Sequence, residues 1–369
     1  MKKFLSKVRE YIPLFTIVVF FLTIISLVLY IIILNNVSFA DYFNYNLSFP
    51  TRVAMSWLTA IIPFSVAEIV LLASPLILFV LIMLSVKYGK RGKKASIKYL
   101  MVIVSIICLI FVLYVWTYSS GFHTTKIEDK MNLDRGNLTK DELYEASQII
   151  VAELNNLAEY IEYDENGAST MSYSYSEMSK KICKAYESFV KKYPVLRTYF
   201  SKIKPIILSE PMTYTHISGI YTFMSGEANV NVNYPDFVIA STSAHEMAHQ
   251  RGFAREDECN FISFAVLLES DDPFLRYSAY LDVYANVVNA LYNESPELYY
   301  EIATQLDKRV VADRHSYSIF FEKYADSKAS EIADSMNDSY LQANGQTEGT
   351  RSYGMIVEIV TAYLINKTK

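Results

Sequence analysis

The sequence predicts a membrane protein. Three N-terminal transmembrane helices lead into a mainly α (α+β) domain with a small sheet, held outside the cytoplasm. Three observations predict this. Uncharged apolar runs occupy residues 11–34, 69–86 and 99–119. Residues 1–118 carry eleven basic and three acidic side chains, net +8, whereas 119–369 carry 23 basic and 36 acidic, net −13. Helical apolar periodicity then fills most of the later chain, broken by one short stretch of strict alternation. With 52% hydrophobic residues, 11 Gly and 10 Pro, the chain is neither disordered nor collagen-like. Three Cys exclude a disulfide-stapled scaffold.

A helix needs about 20 apolar residues to cross a hydrocarbon core of about 30 Å. Spans are therefore expected at about 11–34, 64–86 and 99–119, forming an anchor over 1–120. Ser38-Phe39-Ala40 has the small-x-small form of a cleavage site, but the first run is too long for a signal-peptide core, so an uncleaved anchor is expected. Lys and Arg crowd the first nine residues and the loop 87–98, while the segment between spans one and two has only Arg52. The positive-inside rule then puts the N-terminus in the cytoplasm and residues 121–369 on the extracytoplasmic side. Residues 48–63, with Arg52 and Trp57, could form an interfacial helix, and Glu68 reads as a carboxylate near the interface.

In the outer domain, Thr139 and Glu142 form a capping box ahead of a helix over about 140–162. A second helix covers about 176–192 and stops before Pro194. Residues 227–233 (EANVNVN) alternate polar and apolar, the pattern of a half-exposed strand. Helices are expected over about 237–251, 254–270, 273–293, 297–325, 327–343 and 351–366.

One motif carries chemistry. His245-Glu246-Met247-Ala248-His249 is an HExxH string. Histidines at i and i+4 share one helix face and can reach one ion, and the adjacent Glu can take a proton from water there. Gly252 can end that helix in a left-handed turn. The next helix opens with Glu256-Asp257-Glu258, and a tight turn folds its first-turn carboxylates toward the ion. Three protein ligands and a water mark a catalytic rather than a structural zinc site.

This arrangement resembles the gluzincin zinc peptidases, and the resemblance implies a zincin-like domain with Zn2+ as cofactor. It makes Glu256 the third metal ligand with His245 and His249, leaving Glu258 as the alternative, and puts Asn260 where the family has an Asp that orients the first ligand. The metzincin pattern fails because its third His falls on Arg255. The three spans, Pro63-Phe64-Ser65, the segments at 226–231 and 245–258, and Arg351-Ser352-Tyr353-Gly354 together resemble an uncharacterised bacterial membrane family of unknown function with a zinc-peptidase motif.

The expected function is a membrane-anchored zinc metallopeptidase that hydrolyses peptides or proteins at the outer membrane face, with Glu246 as general base. The strand at about 227–233 is expected to align substrate as an edge strand. Tyr353 and His216 are expected to stabilise the oxyanion, with Arg351 and His315 as further candidates. The alternative is a non-catalytic zinc-binding envelope assembly or sensor module. Partners are a peptide or protein substrate and the lipid bilayer. Nucleic acid is not expected, because the outer domain is acidic and the basic loops fit membrane topology.

Overall fold

A computed structural model describes residues 11–133, 136, 138–344, 346 and 356–368. The chain is mostly helical, with three apolar helices near the N-terminus and two small sheets. Those three, α1 (Leu14–Asn35), α4 (Val66–Lys90) and α5 (Lys93–Thr117), are long and apolar enough to cross a membrane. Between α1 and α4 lie α2 (Val37–Phe43), a π-helical turn (Asn44–Ser48) and α3 (Phe49–Thr59), where the sequence suggested an interfacial helix. Ser65 caps α4, its hydroxyl accepting the Glu68 N–H, and Gly92 makes the left-handed turn into α5.

A short helix α6 (Ile127–Met131) leads to α7 (Lys140–Leu157), which carries the expected capping box. It is followed by a hairpin of β1 (Glu162–Tyr163) and β2 (Ser169–Thr170), where the sequence suggested a loop over 164–170. Next come α8 (Tyr175–Lys192), β3 (Ile203–Pro205), the short α9 (Ser209–Thr213), β4 (Gly219–Thr222) and β5 (Glu227–Val230). The HExxH string lies on α10 (Asp236–Arg251), followed by α11 (Glu256–Leu267) and α12 (Pro273–Glu294). The chain continues through α13 (Pro296–Ala303), α14 (Lys308–Glu322), α15 (Lys328–Ala343) and α16 (Ile356–Thr368).

Two expectations are corrected here. The single helix expected over 297–325 is two helices. Asp307 accepts the Arg309 N–H at 2.8 Å and gives its own N–H to Asn155 Oδ1 at 2.7 Å, so it starts a new helix. The strand read as half-exposed is fully buried and stops at Val230. It lies in the centre of the sheet, in the order β3-β5-β4, parallel to β3 and antiparallel to β4. Its polar residues alternate for another reason: Asn229 and Asn231 are buried and spend their amides on the backbone, at Ile220 O and Ile217 O. The edge strands are β3 and β4.

One large core joins α7, α8, α10, α11, α12 and α16. Helix α10 runs through its middle, with thirteen of sixteen residues buried, which explains why it lacks an amphipathic face. The apolar helices are tied to this domain by directed bonds. Glu68, at the start of α4, accepts the Ile207 and Leu208 N–H groups at 2.9 and 2.7 Å. Glu227 accepts from Val66 N and Ala67 N and pairs with Lys204. The Arg52 guanidinium, wholly buried, donates to Asn44 Oδ1 at 2.8 Å and to the Thr117 carbonyl at 3.0 Å. Asn44 Nδ2 in turn donates to the Gly252 carbonyl, the cap of α10, at 2.9 Å.

Candidate metal centre

The site begins with two helices and the turn between them. Gly252 adopts φ 105° and ends α10, because an L side chain there is strained and its Cβ would meet Arg52 and Asn44. The chain then reverses through Phe253–Arg255 into α11, whose first turn carries Glu256, Asp257 and Glu258.

This reversal brings three ligand atoms together. Glu256 Oε2 lies 3.1 Å from His245 Nε2 and 3.6 Å from His249 Nε2. Ligands about 2.0–2.2 Å from a tetrahedral zinc ion are spaced by about 3.3–3.5 Å, so the trio fits such an ion. The far side of His249 is also fixed. Its Nδ1 lies 3.0 Å from the Phe253 carbonyl, and a carbonyl can only accept. Nδ1 is therefore a donor, and Nε2 is the ring nitrogen turned to the trio.

Cys259 Sγ also lies close enough to both imidazoles to be grouped with them as a metal cluster. Its contact, however, is with His249 Nδ1 at 3.3 Å, on the side that is already donating. Burial pushes its thiol up to about 12, which keeps it protonated in the metal-free chain. Glu256 is thus the better candidate for a third ligand. All three cysteines are free.

Glu258, the alternative ligand, turns away. It accepts from Ile127 N at 2.8 Å and from Arg255 at 2.6 Å. Burial pushes Glu256 up, but the two imidazoles outweigh it, and its carboxyl is held well below the usual carboxylate range. Glu256 therefore stays an anion, as a ligand must.

Glu246 behaves in the opposite way. Burial raises its carboxyl from 4.5 to about 7, against the lowering effect of the two histidines. The nearby Tyr221 backbone N–H also lowers it slightly. Its Oε2 is buried and finds no partner among the described residues. Strand β4 passes so close that a Cβ on Gly219 would lie 2.6 Å from Glu246 Oε1 and 2.5 Å from Thr242 Cγ2. Asn231 N donates to Ser218 O, so by antiparallel alternation Gly219 and Tyr221 turn their backbone groups to the outer edge. The carboxylate and the outer edge of β4 thus face one another.

A model of the family described as "Protein of unknown function (DUF3810)" matches residues 42–361. The chain belongs to this DUF3810 family. The match begins after α1 and covers every residue of the trio. No curated protein and no solved structure matches.

Not every expected site residue of this DUF3810 chain joins the trio. His216 has its Nε2 2.7 Å from the Tyr324 carbonyl and its ring on Phe321, engaging the end of α14 rather than the trio. His315 is exposed on α14. Tyr353 and Arg351 lie outside the described residues. Three other tyrosines surround the trio. Tyr118 OH is 3.4 Å from His249 Nδ1, the Tyr221 ring stacks on His249, and Tyr340 feels the charges of His249 and Glu256. Asp282 on α12 accepts from Ser241 and acts electrostatically on His245. With 30 Tyr in the chain, spacing gave no means of selecting these three; only the close approach at Gly219 left a trace in sequence.

Proposed function

We propose that this chain is a membrane-anchored zinc metallopeptidase that cleaves peptides or proteins at the outer face of the membrane. One observation carries the reading: a buried carboxyl oxygen of Glu246 without a partner, beside two histidines and a glutamate at metal-ligand spacing. His245, His249 and Glu256 would hold the ion. Bound zinc supplies a Lewis acid for the scissile carbonyl and lowers the pKa of water toward about 7.

The chain's own residues do the rest. Glu246 Oε2 takes a proton from the attacking water and returns it to the leaving amine. The outer edge of β4 pairs with an extended substrate, in place of the role expected for 227–233. The outward side of the domain follows from the basic 87–98 loop at the far ends of α4 and α5.

A non-catalytic zinc-binding assembly or sensor module would use the same ligands, yet would gain nothing from an unpartnered buried Glu246. The test is Glu246→Gln in full-length protein. Hydrolysis of an unselected peptide mixture should vanish while one equivalent of metal stays bound. Undiminished turnover, or a wild type that binds no metal, would refute the reading.

A further inference from the structure

The trio is built onto the end of an apolar span, and this bears on what it cuts. From Lys98, the last charge before the apolar run of α5, to Tyr118 is twenty residues, about 30 Å of helix and the thickness of a hydrocarbon core. Tyr118 therefore stands at the opposite boundary, and its hydroxyl is 3.4 Å from His249. Helix α4 gives the same level independently. Twenty residues back from Lys87 is Ala67, next to Glu68, which holds Ile207 and Leu208 by their N–H groups.

The turn from β4 to β5 lies at that level too. The Phe223 ring stacks on Tyr118 at 6.1 Å and meets Tyr114, a turn inside α5, at 5.7 Å. Thr117 Oγ1 donates to the Phe223 carbonyl, and Thr59 Oγ1 to the Ser225 carbonyl. The turn 223–226 carries no charge. Beside this docked level, Met224 is 45% exposed, Ile207 71% and Ile61 80%. Apolar side chains exposed at the end of a span suit contact with lipid rather than water.

From Met224, in the turn after β4 ends at Thr222, back to Tyr221 is three residues, at most about 10 Å of chain. Gly219, on the same strand, approaches Glu246 directly. The part of β4 beside Glu246 therefore lies within about 10 Å of the turn at the bilayer boundary. A chain leaving the membrane in extended form fills that distance with about three residues.

We infer that the substrate is the juxtamembrane segment of a membrane-tethered peptide or protein, paired with the outer edge of β4 and cut within a few residues of the hydrocarbon boundary. This deepens the peptidase reading and rests on it. Tethering also raises the local concentration of substrate at the β4 edge.

The test uses full-length protein in phosphatidylethanolamine–phosphatidylglycerol vesicles. The probe is a random peptide library of roughly ten residues, with a palmitoyl group at either end or none, read by mass spectrometry. The acylated libraries should be cut about tenfold faster or more, at bonds within roughly six residues of the anchor. Equal rates, or cuts scattered along the acylated peptides, overturn the inference and leave the peptidase reading standing. Metal-loaded protein that cuts neither library overturns both. A second readout needs no activity. A fluorophore on Met224→Cys, in a Cys108→Ala background, should be quenched by shallow nitroxide lipids, whereas one on Tyr300→Cys should not. An unquenched Met224 site defeats the inference whatever the libraries give.

Discussion

His249 gives its Nδ1 proton to the Phe253 carbonyl, at 3.0 Å, across the turn that ends α10. The bond fixes the imidazole tautomer and points Nε2 at Glu256. It arises because Gly252 adopts the left-handed conformation and folds the chain back over its own last turn. The candidate metal centre is thus assembled by the same turn that joins its two helices.

Metal content separates ligands from neighbours. His245→Ala and His249→Ala should each reduce bound zinc from one equivalent to near none, and Glu256→Gln should weaken binding by at least about tenfold. Glu258→Gln should keep a full equivalent, because that carboxylate serves Arg255 and Ile127. Elemental analysis of purified protein decides it; loss of zinc from the Glu258 variant would reverse the assignment.

Glu246→Gln should lower turnover by about 10²–10⁴, the usual range for a lost general base, with metal content unchanged. Glu246→Asp, which shortens the reach by one methylene, should retain a small fraction. Rates and zinc stoichiometry measured on the same samples would exclude loss of fold as the cause.

The Glu246 carboxyl also predicts a pH effect in chelator-treated protein. Its folded value of about 7 lies above its ordinary 4.5, so the folded state keeps the proton longer than the unfolded chain. The contribution is fully present below about pH 4.5 and is lost as pH rises through about 7. Wild type should therefore lose stability relative to Glu246→Gln over that window, by about 3 kcal/mol. Thermal unfolding in detergent at pH 5 and pH 8 measures the difference; a constant gap between the two proteins would contradict it.

Gly219→Ala should be costly although glycine and alanine are both small. The new methyl would sit 2.5 Å from Thr242 Cγ2 and 2.6 Å from Glu246 Oε1. Overpacking of this kind costs about 1–3 kcal/mol. Strand β4 should shift outward and release Glu246, so activity should fall more than metal content does. An alanine variant with full turnover and an unchanged melting temperature would show that the strand does not press on the carboxylate.

Glu68→Ala removes the acceptor of two backbone N–H groups at the join between α4 and the sheet. Each buried donor left unpaired costs about 1–3 kcal/mol. Limited proteolysis should then open the chain around Ile207 and Leu208, where wild type resists. Equal resistance would mean that other contacts hold the join.

Much of this protein was legible in residue order. Three apolar runs read as helices because a span must satisfy its backbone internally over a fixed length. Capping boxes, the Gly252 stop and the HExxH spacing are local, so they could be read without neighbours. What sequence could not decide was what lies opposite. Asn229 and Asn231 looked solvent-facing, yet they are buried, because backbone carbonyls of β4 and the loop before it take up their amides. Glu256 and Glu258 share a helical turn and differ only in what their carboxylates meet, His245 in one case and Arg255 in the other. The closeness of Tyr118 to His249 joins positions 131 residues apart. Periodicity and spacing record which face a residue occupies; packing alone records which face of another element it touches, and in this chain that contact brings the candidate metal centre to the end of an apolar helix.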